Sequence, residues 1–102
     1  MTDPLTEDSF AEPISESQRL IAAECMAIQK MLLEKNRRYG DSALNPKRIF
    51  SKASAEEQIL VRLDDKISRL ASGVLGEDED VLLDLVGYIV LLRVARKMKK
   101  EG

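Results

Sequence analysis

The chain of 102 residues has no His and no Trp, a single Cys, two Phe, two Tyr and three Pro. Without His, imidazole acid–base catalysis and His/Cys zinc sites are excluded. Any metal would be a hard cation on carboxylates, Mg²⁺ or Mn²⁺. Cys25 has no intrachain partner, which excludes a disulfide framework and fits a reducing compartment. So few aromatics leave little stacking platform for single-stranded nucleic acid. A net charge of −2 lacks the basic excess of a general nucleic-acid binder, so nucleic acid is not expected as a partner. No apolar run reaches the roughly 20 residues of a membrane span, so no membrane partner is expected either. The first residues are acidic and carry no cationic, apolar leader, so a cytoplasmic location is expected.

What is present is charged and hydrophobic residues, 33% and 44% of the chain, in a length that makes one domain with one modest core. Residues 1–14 mix acids, prolines and isolated apolars without a period and read as an N-terminal arm or disordered tail. Residues 15–102 read as a single all-α domain. Ser15-Glu16-Ser17-Gln18 is a capping box opening a helix to about Lys35, with Ile21, Cys25, Ile28 and Leu32 as its apolar stripe. Cys25 is therefore expected as a packed core thiol. The connection Asn36–Ala53 is long for so small a domain. It carries Arg37, Arg38, Lys47, Arg48 and Lys52 against Asp41 alone, which suits an anion or simply a solvated loop. Tyr39-Gly40-Asp41-Ser42 and Asn45-Pro46 supply its turn chemistry.

Ser54-Ala55-Glu56-Glu57 is a second capping box, and the helix it opens runs to about Ala71 before Gly73 and Gly76 stop it. Within it, Leu60, Leu63, Ile67 and Leu70 form a core-facing stripe, and Arg62, Asp65, Lys66 and Arg69 form a charged one. Three cations within two turns suit phosphate oxygens; the alternative is a solvated face with Asp65 paired to Arg62 or Arg69. The last helix opens in Glu77-Asp78-Glu79-Asp80, acids at the positive end of its dipole. From Val81 to Val94 it is apolar almost all round and is expected to be buried on every side, which one short chain does not supply. The expected fold is thus a small bundle of three to four helices, the fourth a short turn within 43–53, forming a homo-oligomer (dimer or higher) through the last helix. Asp84, a carboxylate inside that apolar run, must be paired or metal-bound. It could bridge to Arg62, Lys66 or Arg69, or hold a divalent metal with Asp80 and either Asp65 or Asp64.

Three blocks, Lys35-Asn36-Arg-Arg-Tyr39-Gly40-Asp41-Ser42, Arg62-Leu-Asp-Asp65-Lys66-Ile-Ser-Arg69-Leu70 and Asp80-Val-Leu-Leu-Asp84-Leu-Val-Gly87-Tyr88, stand in that order. Together they resemble the small, mostly phage-encoded family called nucleotide modification associated domain 1, over roughly residues 23–92. More loosely the chain is similar to the all-α MazG-type nucleoside triphosphate pyrophosphohydrolases, which hold Mg²⁺ on two helical carboxylate pairs. Asp80-x-x-x-Asp84 resembles the second pair at a spacing of four. Where the first pair would stand this chain has Arg62, Lys66 and Arg69.

The resemblance and the excess of cations over metal ligands lead to one expectation, a phage-type nucleotide-phosphate binding protein. Arg62, Lys66 and Arg69 would hold phosphates, Lys35, Asn36, Tyr39 and Arg48 would close the pocket, and Tyr39 or Tyr88 would stack on the base. Such a protein needs no cofactor for binding. By analogy with small phage anti-defence proteins it would sequester a linear or cyclic nucleotide signal in an infected bacterial cell. One alternative is a Mg²⁺-dependent pyrophosphohydrolase with Asp80, Asp84 and Asp65 on the metal; another is a structural or adaptor oligomer with no ligand.

Overall fold

The computed structural model describes residues 14–73, 76 and 79–101. The expected N-terminal arm, apart from Ile14, lies outside the described residues, as do Glu77 and Asp78. Three helices are present, α1 (Glu16–Arg38), α2 (Ala55–Ser72) and α3 (Val81–Glu101). There is no strand among the described residues, and no helix long and apolar enough to cross a membrane.

Each helix begins where a side chain takes up its first free N–H groups. At α1 the box closes fully: Ser15 Oγ accepts from Gln18 N–H at 3.1 Å, and Gln18 Oε1 accepts from Ser15 N–H at 3.0 Å. At α2 only half forms, Ser54 Oγ accepting from Glu57 N–H at 3.1 Å. At α3, Glu79 and Asp80 precede the first turn, which begins at Val81. Asp80 is the cap, its Oδ1 accepting from Leu83 N–H at 3.0 Å. α1 runs a turn beyond Lys35, and Tyr39 N–H closes it on the Lys35 carbonyl. Gly73, at φ 73°, turns the chain out of α2 in the left-handed region that only Gly occupies without a Cβ penalty.

α2 and α3 are an antiparallel pair. Glu56 bonds Arg96 at one end and Lys66 bonds Asp84 two to three turns along, so positions summing to about 150 stand level. Between them lies the core, Ile59, Leu63 and Ala95, with Leu85, Tyr88, Leu91, Leu92 and the loop residue Leu44 packed around it. α1 packs on α3 at Gly87, less extensively than α2 does. A Cβ added there would stand 3.4 Å from both Leu32 Cδ2 and Met31 Cε, so these two α1 side chains rest directly over Gly87.

One expectation fails for want of neighbours. Cys25 is exposed, because the N-terminal half of α1 extends beyond its seat on Gly87. α3 is not covered all round by the single chain, as its apolar girth led one to expect; Leu82 is 65% and Ile89 47% exposed. The short helical turn expected within 43–53 is absent too, since residues 39–44 form a turn and 46–48 are irregular.

Ile59 is 3% exposed at the centre of the α2–α3 seam. Ile59→Ala should lower the unfolding free energy in urea by roughly 2–5 kcal/mol, and Ser54→Ala by about 1 kcal/mol.

Candidate functional site

Between α1, the turn after it and α3 lies a cavity of about 220 Å³. α1 brings Met31, Leu32, Lys35 and Asn36 to it, and α3 brings Asp84, Gly87, Tyr88 and Leu91. These spacings of three, four and seven are single helix faces, which meet over Gly87. The floor is apolar, while the two tyrosines, the Lys35 ammonium and the carboxylates of Asp41 and Asp84 supply direction.

The third wall is the turn, which contributes Tyr39, Asp41 and Ser42. Gly40 and Asp41 are both at φ 63°, which reverses the chain within two residues. Asp tolerates this region better than most L-residues. Its carboxylate is also tied on both oxygens, Asn36 Nδ2 donating to Oδ1 at 2.6 Å and Asn45 Nδ2 donating to Oδ2. Asp41 thus locks the turn to the end of α1, and Tyr39 and Ser42 are held on the cavity. The sequence marks Asp41 as a turn residue; that its carboxylate is shared between the amides of Asn36 and Asn45 is seen only in the structure.

A charged cluster adjoins the cavity through Asp84. Lys66 Nζ lies 3.1 Å from both Glu79 Oε1 and Asp84 Oδ2. Arg69 Nη1 bonds Glu79 Oε2 at 3.1 Å, and its Nε bonds Asp65 Oδ2 at 3.2 Å. Gly76 N–H also donates to Glu79. Glu79 is the hub, its side chain 14% exposed, whereas its sequence position among four acids suggested only a complement to the helix dipole. The Gly76 N–H and then the Lys66 ammonium hold its carboxyl below the usual range, and the hydrogen bonds Lys66 donates to Glu79 and then Asp84 hold its ammonium above the ordinary lysine value.

Of the expected ligand residues, Lys35, Asn36, Tyr39 and Tyr88 line the cavity. Arg48 does not; its Nε donates to the Ala53 carbonyl at 2.9 Å, pinning the loop into α2. Lys66 and Arg69 are occupied by Glu79, Asp84 and Asp65 rather than facing the cavity with open donors. Arg62 is exposed and makes no ion pair among the described residues, standing level with Tyr88 on the Lys66 side of α2.

The expected metal set is not brought together. Asp80 caps α3, Asp65 binds Arg69 and Asp84 binds Lys66. No group of three carboxylate or thiol side chains is placed to hold a metal among the described residues. Of the two readings of Asp84, the structural bridge to the central helix is the one seen among the described residues.

The cluster makes stability pH-dependent. Unfolded, Glu79 takes up a proton near its ordinary value of 4.5; folded, it resists until lower pH. The unfolded chain then binds more protons, so the unfolding free energy should fall as pH drops below about 5. Lys66 has the opposite sign, its contribution persisting through 10.5 and fading only above that. Glu79→Gln should lower stability at pH 7 and flatten the acid limb, read by urea titrations at several pH values. Set against family models, curated proteins and solved structures, the chain matches none.

Proposed function

We propose that the chain binds a nucleotide or nucleotide-derived phosphate in the cavity between α1, the 39–45 turn and α3. The observation that carries this is the convergence of Tyr39, Tyr88, Lys35 and Asn36, from three separate segments, on one apolar-floored cavity. A tyrosine face suits a nucleobase, an amide suits its hydrogen-bonding edge, and an ammonium suits phosphate. At about 220 Å³ the cavity is smaller than the roughly 300–1,000 Å³ of drug-sized sites. It takes a base and part of a sugar, leaving the phosphates to Lys35 and to Arg62, which is exposed on the Asp84 flank of α2 and makes no ion pair among the described residues.

The resemblance of the three sequence blocks to nucleotide modification associated domain 1 supports the same ligand class. Binding without turnover is favoured over pyrophosphate hydrolysis, since Asp65, Asp80 and Asp84 are each spent on protein contacts. This is the behaviour of a protein that sequesters its ligand. The reading includes association of copies as a helical bundle through α3, which the exposure of Leu82, Val86 and Ile89 supports.

The purified protein should be incubated with pooled nucleotides and Mg²⁺, and supernatant and heat-released fraction compared by mass spectrometry. A nucleotide should return unchanged from the protein. Lys35→Ala should weaken its binding by roughly 10- to 150-fold and Tyr88→Ala by roughly 5- to 150-fold. New monophosphate and pyrophosphate in the supernatant would replace sequestration by hydrolysis, and no retained nucleotide would leave an adaptor.

A further inference from the structure

The α2–α3 pair has two flanks, and only one is covered. On α2, Arg62, Lys66 and Arg69 lie to one side of the Ile59–Leu63 seam, and Leu60 and Ile67 lie to the other. On α3, Asp84, Gly87 and Leu91 lie to one side of the line through Val81, Tyr88 and Ala95, and Leu82, Val86 and Ile89 to the other. Lys66 bonds Asp84, so those two charged flanks are the same flank of the pair. Their opposites therefore coincide, and Leu60, Ile67, Leu82, Val86 and Ile89 form one face. α1 seats on Gly87, on the far side, and leaves this face bare. All five side chains are exposed, from 38% at Leu60 and Val86 to 65% at Leu82.

The chain as a whole exposes more surface than a compact monomer, and this face contributes to that surplus along with α1 and the loop at Ile49 and Phe50. The chain exposes 8666 Å², against about 5,800 Å² for a compact monomer of its mass. Eighteen residues lie outside the description. Even if they are given the full area of an unfolded chain, about 2,900 Å², the rest exceeds its compact value by about 700 Å². A standard interface takes about 800 Å² from each partner.

Charge at the borders of the face selects both occupant and orientation. The α2 border carries Glu57 and Asp64, and the α3 border carries Arg93 and Lys97, all exposed and without ion pairs among the described residues. The register set by Glu56–Arg96 and Lys66–Asp84 puts Glu57 level with Arg93. We propose that a second copy of this chain covers the Leu60, Ile67, Leu82, Val86 and Ile89 face about a two-fold axis parallel to the helices. α2 of each copy then lies antiparallel on α3 of the other, with Glu57 opposite the partner's Arg93. Turning the second copy end over end instead sets α2 on α2 and α3 on α3, acid border on acid border. The interface is isologous, so each ion pair occurs twice.

This deepens the association of copies read above, and the test separates the two. Sedimentation of the full chain should give a mass twice 11.5 kDa or an even multiple of it. Monomer at micromolar concentration would overturn both the association and this face. Ile67→Glu with Val86→Glu should halve that mass with helicity retained by circular dichroism; an unchanged mass would place the interface elsewhere and overturn this face alone. Glu57→Arg and Arg93→Glu, both at the exposed border, should each weaken association by roughly 2- to 30-fold at low salt. Combined they should restore it, whereas a combined loss larger than either would overturn the orientation.

Discussion

The ammonium of Lys66, held between Glu79 and Asp84, is the contact on which the arrangement of this molecule depends. Lys66 is on α2, Glu79 on the connection before α3 and Asp84 in the first turn of α3, so one cation fixes three segments. All three side chains are largely shielded, at 17%, 14% and 27% exposure. Losing any one would leave charge short of its partner in a partly dry setting, which costs more than the pairing itself contributes. The same bond sets the rotation of α3 about its axis. That rotation directs Gly87 and Tyr88 at α1 and the cavity, and Leu82, Val86 and Ile89 the opposite way.

Apolar packing alone would not define this arrangement. Ile59, Leu63, Val81 and Ala95 are the buried hydrophobics among the described residues, and α1 is held by a short contact over Gly87. The specificity of the structure lies instead in caps, ion pairs and the turn at Asp41, whose directionality compensates for a thin core. The cavity depends on the same devices. Its α3 wall is tied to α2 through Lys66, its α1 wall rests Leu32 and Met31 over Gly87, and its turn is locked by one carboxylate between two amides.

Features governed by neighbours in sequence were legible there. Ser15, Ser54 and Gly73 mark helix ends because caps act within four residues, and the bridge from Asp84 to the central helix follows from the cost of a bare carboxylate in an apolar run. Lys35, Asn36, Tyr39 and Tyr88 could be grouped through the three ordered blocks, and the cavity gathers them. Features that need a third dimension were not legible. Cys25 lies on a stripe that looks like core but extends past its partner helix. Lys66 and Arg69 looked available for phosphate because Glu79, ten and more residues away, reads as one acid among four. Arg48 looked like a ligand until its backbone acceptor at Ala53 was in view. The apolar girth of α3 was visible, but only its rotation shows which flank is left bare.

The central claim is that the cavity beside Gly87 takes a nucleotide. With no Trp in the chain, all useful intrinsic emission comes from Tyr39 and Tyr88, and both line that cavity. Tyrosine fluorescence titrated with nucleoside mono-, di- and triphosphates, excited where base absorption is corrected for, therefore reads the site directly. A saturable change with at least one nucleotide, lost in Lys35→Ala, is the result this account predicts. Emission unchanged by every nucleotide up to millimolar concentration would contradict it.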